Sequence, residues 1–134
     1  MLILNPGTVR FGDQAWEDVA ALAVDRAAAR TVLEWSDEGP HAVLADVPEV
    51  RVSVRVVRRL DGGDLAAPLP GQQATLSFHT APAMSDAGRR SVTMTAVVLS
   101  VTHELAGQQG ARQVIALVAV AATGGADPVI VLPV

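Results

Sequence analysis

The chain has 134 residues, half of them hydrophobic, which is enough for one domain with a real core. Its formal charge is −4 and all its basic residues are Arg, so the basic footprint that binds nucleic-acid phosphate is missing. With no Cys and only 3% aromatic residues, it excludes disulfides, thiolate catalysis and Cys-ligated zinc, and it argues against base-stacking platforms and sugar binding.

The opening stretch Met1–Gly7 lacks a basic segment and its apolar run breaks at Asn5, so neither a signal peptide nor an anchor is expected. Thr8–Asp13 reads as a short strand and turn. Trp16–Trp35 is rich in Ala, Arg and Leu, which favours helix by propensity. Its apolar residues alternate, which favours strand, and two strands are predicted, Val19–Arg26 and Ala29–Trp35. Gly39-Pro40 and Pro48 then punctuate the chain.

Val50–Val56 alternates strictly between Val and polar residues, the pattern of a strand with one dry and one wet face. One short helix is predicted at 61–67, stopped by Pro68 and Pro70. A strand follows at Ala74–Thr80, and a longer one at Ser91–Leu105. In the longer strand the apolar phase changes near Val98, which implies either burial on both faces or a bulge. A Gly-containing turn at 107–110 leads to a returning strand, Arg112–Ala122, apolar on both sides. The hairpin Ser91–Ala122 is expected at the centre of the main sheet, with Val118 in the core. A last strand is predicted at Val129–Leu132, after Gly124-Gly125. No repeat or linker divides the chain, so residues 1–134 form a single domain. The spacing of strands and turns fits a β-sandwich or barrel.

No catalytic, cofactor or metal site can be nominated. His41, His79 and His103 lack ligand spacing, and they read as ordinary surface or half-buried residues. Asp13, Glu17, Asp18 and Asp25 form one acidic scatter, and Asp37, Glu38, Asp46 and Glu49 another. Without aromatic platforms these read as solvated loop charges rather than a glycosidase pair. No nucleophile–base–orienter set is present, so an enzyme is not expected.

Two features suggest assembly. Arg51, Arg55 and Arg59 recur every four residues on one strand, as a row suited to pairing with carboxylates across strands or subunits. Val129, Ile130, Val131 and Leu132 form an apolar strip that would be aggregation-prone if left bare. Its cover is either the subunit's own sheet or a neighbouring subunit, and the neighbour is favoured because the Gly124-Gly125 hinge gives the strip reach.

The phrase Gly7–Gly12, followed by Trp16–Arg26, resembles the start of phage tail tube proteins. The closing hairpin, Val97–Glu104 with Ala111–Ala119, and the ending Ala126–Val129 resemble the same family, which is related in fold to type VI secretion tube proteins. The resemblance implies a mainly β sandwich or barrel with one short helix, and six subunits joined edge to edge into a ring. Stacked rings make a tube whose lumen passes DNA without specific binding, in company with other tail proteins. It implies a place in the virion tail, assembly in the host cytoplasm and no membrane anchor. Tube subunits of this kind commonly carry a hairpin arm that reaches the neighbouring ring, and Trp35–Pro48 is its best candidate here. The rival readings are another virion β protein (capsid cement, tail terminator or distal tail protein) or a soluble small-molecule-binding β-barrel.

Overall fold

A computed structural model describes residues 2–4, 6, 8–60, 68–80, 89–106 and 110–133. Within them the protein is mainly β and antiparallel, with nine strands and no helix. The strands are β1 (Leu2–Leu4), β2 (Val9–Phe11), β3 (Gln14–Trp16), β4 (Val19–Trp35), β5 (Ala42–Leu60), β6 (Gln73–His79), β7 (Arg90–Ala106), β8 (Gly110–Val120) and β9 (Ile130–Pro133). The helix predicted at 61–67 lies outside the described residues. Among the described residues no helix is long and apolar enough to cross a membrane.

One sheet runs in the order β1-β4-β5-β8-β7-β6-β2-β3, with β9 joined to β7. This path is open: among the described residues no ladder closes it into a barrel and no second sheet packs on it. Yet β3, at one end of the path, is followed after two residues by β4, near the other end. A two-residue link is too short to span a flat sheet of eight strands spaced about 4.8 Å apart, so the sheet bends until its ends approach. The link is held at Asp18, whose φ is +56° and whose carbonyl accepts a hydrogen bond from the Arg59 N–H. The inside of the bend is the core. Ile3 from one end of the path and Phe11 and Trp16 from the other join Leu22, Val54, Leu76, Met94, Ile115 and Leu117 from the strands between. Phe11 and Trp16 stack with centroids 5.1 Å apart.

The alternation of Val50–Val56 does what period two requires. Val52, Val54 and Val56 are buried, and Arg55 stays exposed on the opposite face. In β7, the phase change is a bulge. Val98 pairs with Leu117 and Ser100 with Ala116, so Leu99 is the extra residue. The slip turns Leu99 outward and returns Val101 to the core side.

β7 and β8 do lie in the middle of the sheet, as expected for the Ser91–Ala122 hairpin. Val118 is not in the core: Ile115 and Leu117 point inward, which leaves Val118 half-buried on the outer face. The two strands expected at Val19–Arg26 and Ala29–Trp35 are one continuous strand, because the Ala-rich segment keeps its pairing with β5 throughout.

Candidate assembly interface

The longest hairpin organises the candidate site. β4 has 17 residues and β5 has 19. Only their inner halves belong to the body of the sheet, since β8 pairs with β5 over Val52–Leu60 and β1 pairs with β4 over Ala21–Ala23. Beyond those points the two strands continue as a bare ribbon, and every residue from Asp25 to Arg51 is exposed. At a rise of about 3.3 Å per residue, the ribbon projects roughly 30 Å from the body. Its tip is the turn at Ser36–His41, which places His41 there. The candidate arm Trp35–Pro48 is thus the outer part of a longer arm.

Pro48 sits inside β5, where a central strand would reject it. It is tolerated because β8 has already ended and β5 is there an edge. Irregular register around Pro48 marks the missing N–H, and the original register resumes at Val32–Asp46.

The ribbon is apolar on both sides. Leu33 pairs with Ala45, and strand geometry puts Thr31 and Trp35 on Leu33's side of β4 and Val43 and Val47 on Ala45's side of β5. Val32 and Leu44 belong to the other side. Leu33, Trp35, Val43, Leu44, Val47 and Val50 are all exposed, Trp35 at 60%. Five carboxylates fall between Thr31 and Val50 (Glu34, Asp37, Glu38, Asp46 and Glu49) with no Arg among them. The second acidic scatter therefore lies on this arm.

The base of the arm is tied to the C-terminal segment. β6 covers one edge of β7 over Ser91–Val97, so β8 and β9 must share the other edge, β8 from Thr95 onward and β9 along Arg90–Thr93. Between them, residues 121–129 leave the sheet and lie against the arm, enclosing a cleft of about 480 Å³ with Arg26, Pro48 and Val50. Arg26 Nη2 meets Asp127 Oδ2 at 2.9 Å, and Asp127 Oδ1 accepts the Val129 N–H at 3.1 Å. The backbone hydrogen bond from Val129, and then Arg26, hold the Asp127 carboxyl below the usual carboxylate range.

The predicted interface residues fall in two places. Val129 is buried in the chain's own core. Ile130, Val131 and Leu132 pair their backbones with Thr93, Val92 and Ser91 of the same chain, while their side chains remain half exposed. Arg51 and Arg55 lie on β5, exposed on the face away from the core, in line with Arg59. Half-buried Val57, Val114, Ala116 and Val118 share that face, and Arg112 flanks them in an ion pair with Glu104 at 2.6 Å. The row and the strip therefore do not form one patch. The arm carries more exposed apolar surface than either, and its only signal in the sequence is unbroken alternation running through an Ala-rich segment.

Other polar groups are structural. Gln113 is fully buried, and its Oε1 accepts from Arg58 Nη1 at 3.0 Å. Its Nε2 lies 3.1 Å from His103 Nε2, which makes that ring nitrogen the acceptor and puts the ring proton on Nδ1. Arg58 also lies over Trp16, 5.7 Å from the ring centroid. Among the described residues no three His, Asp or Glu side chains come together as a metal site. No protein-family model matches the chain, and no curated protein sequence matches it either.

Proposed function

We propose that the chain is a structural virion protein, the subunit of a phage tail tube that assembles as stacked rings around a channel for DNA. The bare β4–β5 arm carries this reading. A two-stranded ribbon is marginal in water by itself, and one with exposed apolar side chains on both faces has a purpose when another surface covers it. The tube family that the sequence resembles uses such an arm between rings. The bend of the sheet is compatible with the sandwich or barrel of those subunits, and pairing between subunits would cover edge strands that otherwise invite aggregation. A net acidic subunit also suits a lumen along which DNA must slide without sticking. The partners are other copies of the chain and other tail proteins, and the setting is the virion tail, assembled in the host cytoplasm.

Negative-stain electron microscopy of the concentrated full chain tests this. Rings or tubes are expected from the wild type. A variant with Leu33–Ala45 replaced by an Asn-Gly turn, which closes on the Val32–Asp46 pair, should keep a β-type circular dichroism spectrum and lose stacking. A wild-type protein that stays monomeric at every concentration refutes the proposal.

A further inference from the structure

The charge of the chain is divided unequally. Thr31–Val50 holds five of the fourteen carboxylates and none of the ten Arg, a formal −5. The rest of the chain holds nine carboxylates against ten Arg, a formal +1. Those Arg include Arg55, Arg59 and Arg112 on the outer face of β5 and β8, where Arg59 and Arg112 are register partners. Like charges directly opposite one another repel, and among the described residues Glu104 pairs with Arg112 of the two. Beside them lies an open concavity of about 770 Å³, lined in part by Val57, Arg59, Glu104 and Arg112. The outer face is thus an apolar strip edged by positive charge, and one face of the arm sets Val32 and Leu44 beside Asp46 and Glu34.

We infer that the arm of one copy docks on the β5–β8 outer face of a second copy, with its carboxylates against Arg55, Arg59 and Arg112. The inference rests on the assembly reading above and specifies the surface that receives the arm. The lengths agree. Arg51 to Arg59 spans roughly 26 Å along β5, close to the reach of the ribbon. Copies of one chain supply both halves of this match, so no other partner is needed to cover either surface. Charge pairing at the rim sets register and encounter rate, while the apolar strip supplies contact area.

The chain has no Cys, so a directed disulfide test is free of background. Full-length Leu44→Cys, on the ribbon face that carries Glu34 and Asp46, is mixed with size-tagged Ala116→Cys, assembled and oxidised. The expected product is the mixed disulfide. Arg10→Cys, three strands from β8 along the sheet, should give none. In parallel, Arg55→Glu with Arg59→Glu should raise the concentration needed for assembly about tenfold or more, as should Glu34→Arg with Asp46→Arg. Combining the two pairs should recover most of the loss, which a merely structural effect of either pair would not do. Raising salt from about 0.1 M to about 1 M, which shortens the Debye length from about 10 Å to about 3 Å, should weaken the wild type more than the arginine-reversed form. If tubes form but Leu44→Cys couples to Arg10→Cys instead, or the charge swap rescues nothing, the docking surface is wrong while the tube reading stands. Coupling of Leu44→Cys that requires a different virion protein also overturns the inference. A chain that stays monomeric and gives no intermolecular disulfide overturns both.

Discussion

Adjacent residues Leu117 and Val118 should differ sharply when shortened. Leu117 is completely buried and pairs in register with Val54 on one side and Val98 on the other, both themselves buried. Leu117→Ala removes three carbons. Their transfer is worth about 2.4 kcal/mol at about 0.8 kcal/mol each. The central strands on both sides restrict collapse, so a cavity remains, and the total loss should be about 3–4 kcal/mol. Val118→Ala removes two carbons from a half-buried site on the outer face, where solvent fills the space, and should cost less than about 1 kcal/mol. The assay is urea unfolding at concentrations too low for assembly, with equal m-values required of both variants. Trp16, at 2% exposure, reports the core by fluorescence, and replacing Trp35 with Phe removes the signal of the arm. Equal losses for the two variants, or a larger loss at Val118, would refute the assignment of the core to the Leu117 face.

Three other outcomes are expected. Gly12 has φ +61°, and a Cβ there would lie 3.1 Å from the Ala74 Cβ, so Gly12→Ala should cost about 1–2 kcal/mol in thermal unfolding. Gln113→Leu leaves unmade the hydrogen bonds to Arg58 and His103 in a buried setting, and should cost about 1–3 kcal/mol by urea titration. The Asp127 carboxyl is more acidic folded than unfolded, so its contribution is present above the ordinary carboxylate range and fades as pH falls through it. The stability gap between wild type and Asp127→Ala should therefore be larger near neutral pH than at about pH 3, a small effect because the pair is half exposed. A gap that widens in acid would contradict this.

What was legible in the sequence follows from period two. Val50–Val56 could be read because every second residue is Val, and the ends of β6, β7 and β8 fall within two residues of expectation. The change of phase in β7 was visible as a pattern, but choosing a bulge over two-sided burial required the register of β8. β1 and β3 were missed because three-residue strands hold too little alternation to register, and both are defined by their partners. The arm was only partly visible. Alternation reads the same whether a face is covered by core or left bare, and local pattern does not say where β8 stops. Of the proposed interface, the Arg row was read on its correct face. For the C-terminal strip, sequence could not tell that its backbone pairs with β7 of the same chain.

The bare ribbon also bears on timing. Past Val52 and Ala23 its hydrogen bonds have no third strand beside them, so they should open locally at far less free energy than the body. Amide hydrogens of Val32–Glu34 and Leu44–Asp46 should exchange with solvent long before those of Val54 and Val56. A newly made subunit would then hold its recognition element loosely formed, and docking would bear the entropy of ordering it. Growth on an existing surface that straightens the ribbon becomes easier than starting anew. If the chain assembles as proposed, a lag before polymerisation that a preformed seed abolishes is expected.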